Sequence, residues 1–387
     1  DDEDEEDDEE EEEEGQEDVD SPFEVEGEGM EISVGEVEPS STIPPRPVTP
    51  SQAPVSLKRQ MNNAVLLVEA KNIVPIRCAR DLPLIVGEPF LETWQNRSRI
   101  WAADVQRQLA QLGDRPGPVF VAPQAQMALW AHGIDHGIVV NIGQQEMVAL
   151  PVVRGKIDAT AGAGSDLGSA QLTQRMLALL DRRHPFIDNS HMTWSRDLKE
   201  RHCYVAPYAS GPGPRRTLSE RLATGEVRVP CVSVDPASAC LRGPAFQLCE
   251  ERVLVPEELF TPGRLGRRSS LPELIVRCAE LAAQGAARDR ESLRALLRNV
   301  VLVGGAAELP GIRTRTEFEV RALLAGGASR ALRAALESPD DAFVLQPPLG
   351  RAGPLATPRF VPFLGGCVRA AGSRFLRPAE GPEEDLR

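Results

Sequence analysis

A chain of 387 residues with 58 acidic against 43 basic side chains has a formal net charge of −15 and an aromatic content of 4%. A nucleic-acid groove needs a clustered basic face interleaved with stacking aromatics, so this composition argues against direct nucleic-acid binding. The chain has no run of about 18 apolar residues and no signal peptide, which predicts no membrane partner and a cytoplasmic or nuclear location.

The excess acid sits at one end. Residues 1 to 14 are all Asp or Glu, and few large apolar side chains precede Leu57. Burial there cannot offset the entropy of ordering the backbone, so residues 1–58 are expected to be a disordered acidic tail and a proline-rich linker, PSSTIPPRPVTPSQAPVS. Proline fixes φ and removes a donor, which suits an extended spacer. Pro44, Pro47 and Pro50 have PxxP spacing, but no flanking feature marks a ligand and a plain spacer is the simpler reading. An acidic run can attract basic partners such as histones; a solubilising tail requires less. The chain opens on Asp1 in place of Met, so its natural start is expected upstream.

Residues 59–380 are expected to form the folded domain and 381–387 a charged tail. Apolar runs AVLLVEA, IVPIRCA and LPLIVGEP between Asn63 and Pro89 read as three strands broken by turn residues. Leu91 to Leu112 carries Trp94, Ile100, Trp101, Val105 and Leu109 at helical spacing, then GDRPGP stops the helix. VFVAP follows as a strand, AQMALWAHG as a helix closed by Gly133, and Ile138 to Pro151, IVVNIGQQEMVALP, as a buried hairpin around a glycine turn. Leu167–Arg182 and Ser195–Ala206 read as helices, and 207–250 as a Gly/Pro-rich insertion or remodelled outer lobe. PEELF, SLPELIVRCAELAA and Glu291–Arg298 are predicted helices leading into the strand NVVLV. That strand ends in Gly304 and Gly305, where backbone could approach a ligand closely, and FLGG at 363–366 reads as a second such turn. Strands alternating with helices indicate an α/β layered fold. Seven scattered cysteines with no CxxC pair predict reduced intracellular thiols. The cluster Cys231, Cys240 and Cys249 has no His at ligand spacing, and Gly133 separates His132 from His136, so no metal site is expected.

Taken in order, these segments resemble the actin and actin-related protein family. VAPQAQMALWAHG is similar to the family's strand and helix bearing the glutamine that orients the attacking water, here Gln124. GIVVNIGQQEMVALP resembles its second phosphate hairpin, with Asn141 and Gly143, and RDLKERHCYVA its adenosine-contacting helix, with Lys199 and Glu200. PEELFTPGRLG, NVVLVGGAAELPGI and FLGG resemble three later segments at matching order, so the likeness runs from about Pro83 to Phe375. It implies a duplicated ribonuclease-H-like fold, shared with sugar kinases and chaperone ATPases, with the first lobe incomplete. The words NIG and LKE-CYVA most resemble the F-box-bearing actin-related proteins of plants and green algae, although no F-box is visible; a dynein-activator end-capping actin-related protein and the chromatin-remodeller actin-related subunits are the other relatives the resemblance leaves open.

The departures bear on function. The family's first phosphate hairpin, an Asp-x-Gly turn followed by lysine, is not found before Pro83. Asn141 stands where the family carries aspartate, and Gln144 and Gln145 where it carries another acid and a glycine. An aspartate can hold a magnesium water shell, and an amide cannot match its charge. Leu309 replaces a stacking aromatic; Asp166 keeps its place, but Ser169 replaces a glycine near the nucleotide. Asn141, Gly143, Asp166, Lys199, Glu200, Gly304 and Gly305 are thus the residues of a vestigial nucleotide site, with Gln124 a catalytic relic. Each also has a plain reading. Gln124 serves equally as a polar helix start beside Gln126, Lys199 and Glu200 read first as a solvated helix face, and the two glycines as a tight turn. The resemblance therefore implies a non-catalytic scaffold or assembly subunit with no cofactor, or with weakly bound ATP or ADP. Protein partners in a multi-subunit complex are expected, actin or other actin-related proteins among them, in the cytoskeleton or the nucleus. Two alternatives stand: an ATP-binding protein with nucleotide as structural ligand, and an acidic histone-binding subunit of a chromatin complex.

Overall fold

The computed structural model describes residues 84–110, 119–184, 186–207, 216–236, 244–261, 269–326, 329–336, 338–348 and 357–371, all within the unit Ala53–Arg387. The tail and linker at 1–58, the strand candidates before Pro83, Cys78, Cys240 and the terminal tail at 381–387 lie outside the described residues.

Strand β1 (Leu84–Glu88) pairs in parallel with β2 (Val119–Pro123). Between them the expected single helix is two, α1 (Phe90–Trp94) and α2 (Ser98–Ala110). The break falls at Asn96, whose φ of 55° is a left-handed conformation that asparagine tolerates better than most side chains. Buried Glu88 accepts from the hydroxyls of Thr93 (2.7 Å) and Ser98 (2.5 Å), and so holds the end of one helix to the start of the next.

Helix α3 (Gln124–His132) leaves β2 directly and ends, as its sequence predicts, at Gly133 with φ 69°. Next come β3 (Gly137–Ile142), β4 (Met147–Val153), β5 (Lys156–Ile157) and β6 (Ala163–Ser165). Strands β3 and β4 form an antiparallel hairpin with Asn141 opposite Val148. The far edge of β4 is paired by β6 near its start and β5 near its end. Later in the chain β9 (Val300–Val303) joins the other edge of β3 in parallel, giving a five-stranded sheet.

Alternation along these strands divides the apolar side chains between two cores. Ile138, Val140, Ile142, Met147 and Ala149 face a large cluster that includes α4 (Ser169–Arg183), α8 (Leu271–Gln284) and α9 (Arg290–Arg298). Val139, Val148, Leu150, Val152, Val301 and Val303 face Phe90, the α3 residues Ala125, Ala128 and Leu129, and Val361. A sheet covered on both faces by helices is the α/β arrangement expected from the sequence.

Helix α5 (Met192–His202) starts three residues before its expected Ser195 and stops before CYVA, because the amides of Tyr204 and Val205 bond the carbonyls of Arg252 and Pro310. The segment 207–250 contributes α6 (Leu218–Ala223) and a short hairpin, β7 (Val232–Val234) with β8 (Phe246–Leu248). Here the expectation of reduced thiols fails. Val232 pairs with Leu248, so Cys231 and Cys249 face each other at the open end of the hairpin, with Cα atoms 4.3 Å apart, and are joined as a disulfide. The helix expected at PEELF lies earlier, as α7 (Glu251–Glu257), and α10 (Ile312–Gly326) and α11 (Arg330–Ala335) follow β9.

FLGG is not a turn. It lies inside α12 (Val361–Ala371), where a Cβ on Gly365 would collide with the carbonyl oxygen of Met127 in α3. The missing side chain lets the two helix backbones touch, which is how α12 closes the second core through Val361. Gly365→Ala is therefore expected to lower the denaturant midpoint by about 1–3 kcal/mol equivalent. Gly326→Ala, at a helix end with no atom within 4 Å of the added methyl, should not lower it. Equal midpoints for the two variants would show that the α3 and α12 approach does not need glycine.

Candidate functional site

The carboxyl ends of parallel strands β3 and β9 lie side by side, with Asn141 opposite Val303. Chain emerging from both strands must turn there, and both turns are built from glycine. In the β3–β4 turn the Gly143 amide donates to the Glu146 carbonyl at 2.9 Å, leaving Gln144 and Gln145 exposed at the tip. After β9, Gly304 adopts φ 97°, and a Cβ there would lie 2.5 Å from the Ile142 carbonyl and 2.8 Å from Asn141 Oδ1. The two turns are thus in contact, with the Asn141 amide between Gly143 and Gly304.

The start of α4 seals the hairpin from another side. Gly168 lies flat on the turn, where a Cβ would be 2.5 Å from the Gln145 carbonyl carbon and the Glu146 nitrogen. The first amides of α4 then point into the turn: Ser169 donates to the Gly143 carbonyl at 2.9 Å and Ala170 to the Gln144 carbonyl at 2.8 Å. A helix amino terminus offers unpaired amides to an anion. Here two of those amides are already bonded to protein.

Lys199 is not on a solvated face as expected; it is 3% exposed. Its ammonium donates to the Ser169 carbonyl (3.0 Å), the Ser169 hydroxyl (2.5 Å) and the Thr173 hydroxyl (3.0 Å). An ammonium has three N–H bonds, so these acceptors use all of them. Burial lowers its pKa from 10.5 to about 8 against the opposing pull of Glu200. Glu200 does lie on the exposed face, paired with Arg196 at 2.9 Å. Despite some desolvation, that hydrogen bond and the charges of Arg196, Lys199 and Arg359 leave its carboxyl below the usual value.

Arg359 is a residue of the site that no local sequence signal marks, because it lies 54 positions after Gly305 in the chain. Its guanidinium lies 3.5 Å from where a Gly305 Cβ would be and pairs with Glu308 at 3.1 Å. The carbonyl of its neighbour Pro358 accepts from the Gly304 amide at 3.4 Å. Glu146, the one carboxylate in the turn NIGQQE, has its pKa raised by burial. Thr173 is a site residue that the sequence reading did not single out; its only local signal is its place four residues after Ser169, on the same helix face.

Asn141, Gly143, Gly304 and Gly305 are therefore brought together, with Lys199 joined to them through Ser169 and Glu200 near Arg359. Asp166 lies exposed two residues before Gly168. Gln124 belongs to the other sheet's edge: it opens α3, and its side chain lies 3.1 Å from where a Gly87 Cβ would be. Chemically the cluster is a pair of backbone turns bridged by an amide, with its ammonium buried and its nearest guanidinium ion-paired.

A family model described as Actin matches residues 67–343 of the chain. The chain is 28% identical over 204 residues to actin-related protein 6 of Drosophila melanogaster, 26% over 242 residues to actin-related protein 2 of Saccharomyces cerevisiae, and 29% over 229 residues to actin-related protein 8 of Arabidopsis thaliana. Those matches take in 48%, 62% and 59% of this chain and 48%, 56% and 42% of the relatives, so the chain spans about half the length of the curated relatives it matches.

The lysine makes a pH-dependent prediction. Between about 8 and 10.5 the unfolded chain holds a proton at Lys199 that the folded chain has released, so stability from this group rises with pH across that window. Lys199→Met lacks the titration. The stability of the native sequence minus that of the variant should climb from pH 8 to 10.5, and a difference that stays constant across the window would refute the burial of Lys199.

Proposed function

The chain belongs to the actin family, and within it we propose that this protein is a non-catalytic scaffold or assembly subunit of a multi-protein complex. The observation that supports this reading is the internal closure of the candidate phosphate clamp. Lys199 donates to Ser169 and Thr173, the first α4 amides to the hairpin carbonyls, and the Gly304 amide to Pro358. A phosphoryl group entering this site would have to break bonds the protein already makes in a buried setting.

Phosphoryl transfer needs a held metal, a positioned water and donors aimed at the charge that develops. Asn141 brings an amide where a metal's water shell calls for a carboxylate, and Gln124 lies against Gly87 instead of the clamp. ATP hydrolysis is accordingly not proposed. What the fold offers is two covered cores carrying a remodelled insertion, a stable body on which partners can assemble. Protein partners in the cytoskeleton or the nucleus are proposed on the same grounds.

A second reading, nucleotide as a structural ligand, is favoured by the convergence of Asn141, Gly143, Gly304 and Gly305 at the carboxyl edge of two parallel strands, where α/β sheets commonly bind ligands. Thermal unfolding separates the two. A nucleotide at a hundred times its Kd would stabilise the fold by about 2.7 kcal/mol and raise Tm by several degrees. The scaffold reading expects no change with magnesium and ATP, and expects Asn141→Asp to leave hydrolysis at background. A clear Tm rise would support the structural-ligand reading, and turnover by either protein would overturn the proposal.

A further inference from the structure

The hairpin of β7 and β8 carries sulfur chemistry that the scaffold reading does not use. Cys231 is exposed and Cys249 half-buried, and their sulfurs are bonded. The other described cysteines are poorly suited to attack that bond. Cys203 and Cys278 are buried, and burial pushes the Cys203 thiol up to about 12 and raises Cys278 as well; Cys367 is exposed on α12, but partial burial raises its thiol too. Thiolate is the attacking species, so none of these three thiols is poised to open the pair, whereas a small external dithiol can reach its exposed sulfur.

Two strands of three residues are too short to be stable by themselves. Their anchors are unequal. Strand β8 inserts Phe246 among aromatic rings, 4.3 Å from His184 and 5.8 Å from Trp194 between centroids, and buries Leu248 completely. At its end the Cys249 amide donates to Glu251 at 3.0 Å, and Glu251 pairs with Arg183 at 2.8 Å. Strand β7 buries Val234 and leaves Ser233 exposed; at its foot Arg252 bonds the carbonyl of Pro230, the residue before Cys231. The sulfur bond is therefore a main restraint on β7. Ser233, Val234 and Asp235 also form one wall of a cavity of ≈ 240 Å³, whose facing wall includes Trp194, Asp197 and Arg201 of α5.

We propose that Cys231 and Cys249 form a redox-responsive thiol–disulfide site whose state sets the order of β7 and the shape of this cavity. A dithiol reductant attacks the exposed Cys231 sulfur, the protein S–S bond breaks, and Cys249 leaves as a thiolate that takes up a proton. The second reductant thiol then attacks its own sulfur in the mixed disulfide and releases Cys231. Two electrons and two protons pass to the protein, and the reductant ends as a cyclic disulfide. Closing a loop across a separation of 18 residues biases the closed hairpin by on the order of a hundredfold.

Full-length protein, oxidised or treated with dithiothreitol, can be compared by peptide mapping and hydrogen exchange. The oxidised form should yield one peptide pair linked through Cys231 and Cys249. Reduction should speed exchange at Val232 to Val234 by at least about tenfold, leave Val300 to Val303 unchanged, and reverse on reoxidation. Cys231→Ser should match the reduced protein. A link to Cys240 instead, no link after oxidation, or exchange at Val232 to Val234 that ignores the redox state overturns the proposal, whether or not the protein binds nucleotide.

Discussion

The molecule depends on the pairing of β3 with β4 on one edge and β9 on the other. Every residue of β4 is buried, and in β3 only Asn141 is not, so neither strand has a solvent face to set its register. The register is instead specified by two cores at once. A slip of one residue would send Ile138, Val140 and Ile142 into the space filled by Val139 and its neighbours, and both helix layers would lose their fit. The parallel partner β9 arrives more than 150 residues later in the chain, so this pairing closes a long loop at an entropic cost that the two cores must offset.

That constraint places the candidate site. Strands buried on both faces can turn only where they emerge, and β3 and β9 emerge together at Asn141 and Gly304. Glycine permits the contact, since side chains at Gly168 or Gly304 would strike the backbone of the β3–β4 hairpin. The same closeness brings donors and acceptors of the protein within reach of one another. In a low-dielectric site an unpaired amide or ammonium is costly, and Ser169, Thr173, the turn carbonyls and Pro358 remove that cost. The structure thus gains internal satisfaction at the place where a phosphate clamp needs open donors.

Much of this was legible beforehand, for identifiable reasons. The hairpin, β9 and α8 have strong periodicity or unbroken apolar runs, and Gly133 is a left-handed helix end that sequence alone suggests. The readings that failed involve partners remote in sequence. FLGG looks like a turn until α3 is seen to press against Gly365. Lys199 looks solvated because its neighbours are charged, yet Ser169 and Thr173, 30 and 26 residues away, bury it. The thiols of Cys231 and Cys249 look independent until the β7–β8 register sets them opposite each other.

By itself the sequence determined the class of fold, the order of its elements and the amide that replaces a carboxylate at Asn141, because these follow from local periodicity, turn chemistry and residue identity. Tertiary structure alone decided what the site does with its remaining donors. Hydrogen-bond satisfaction is a property of distances between groups, and the groups that satisfy Lys199 and Gly304 come from helices and turns whose meeting no local pattern encodes.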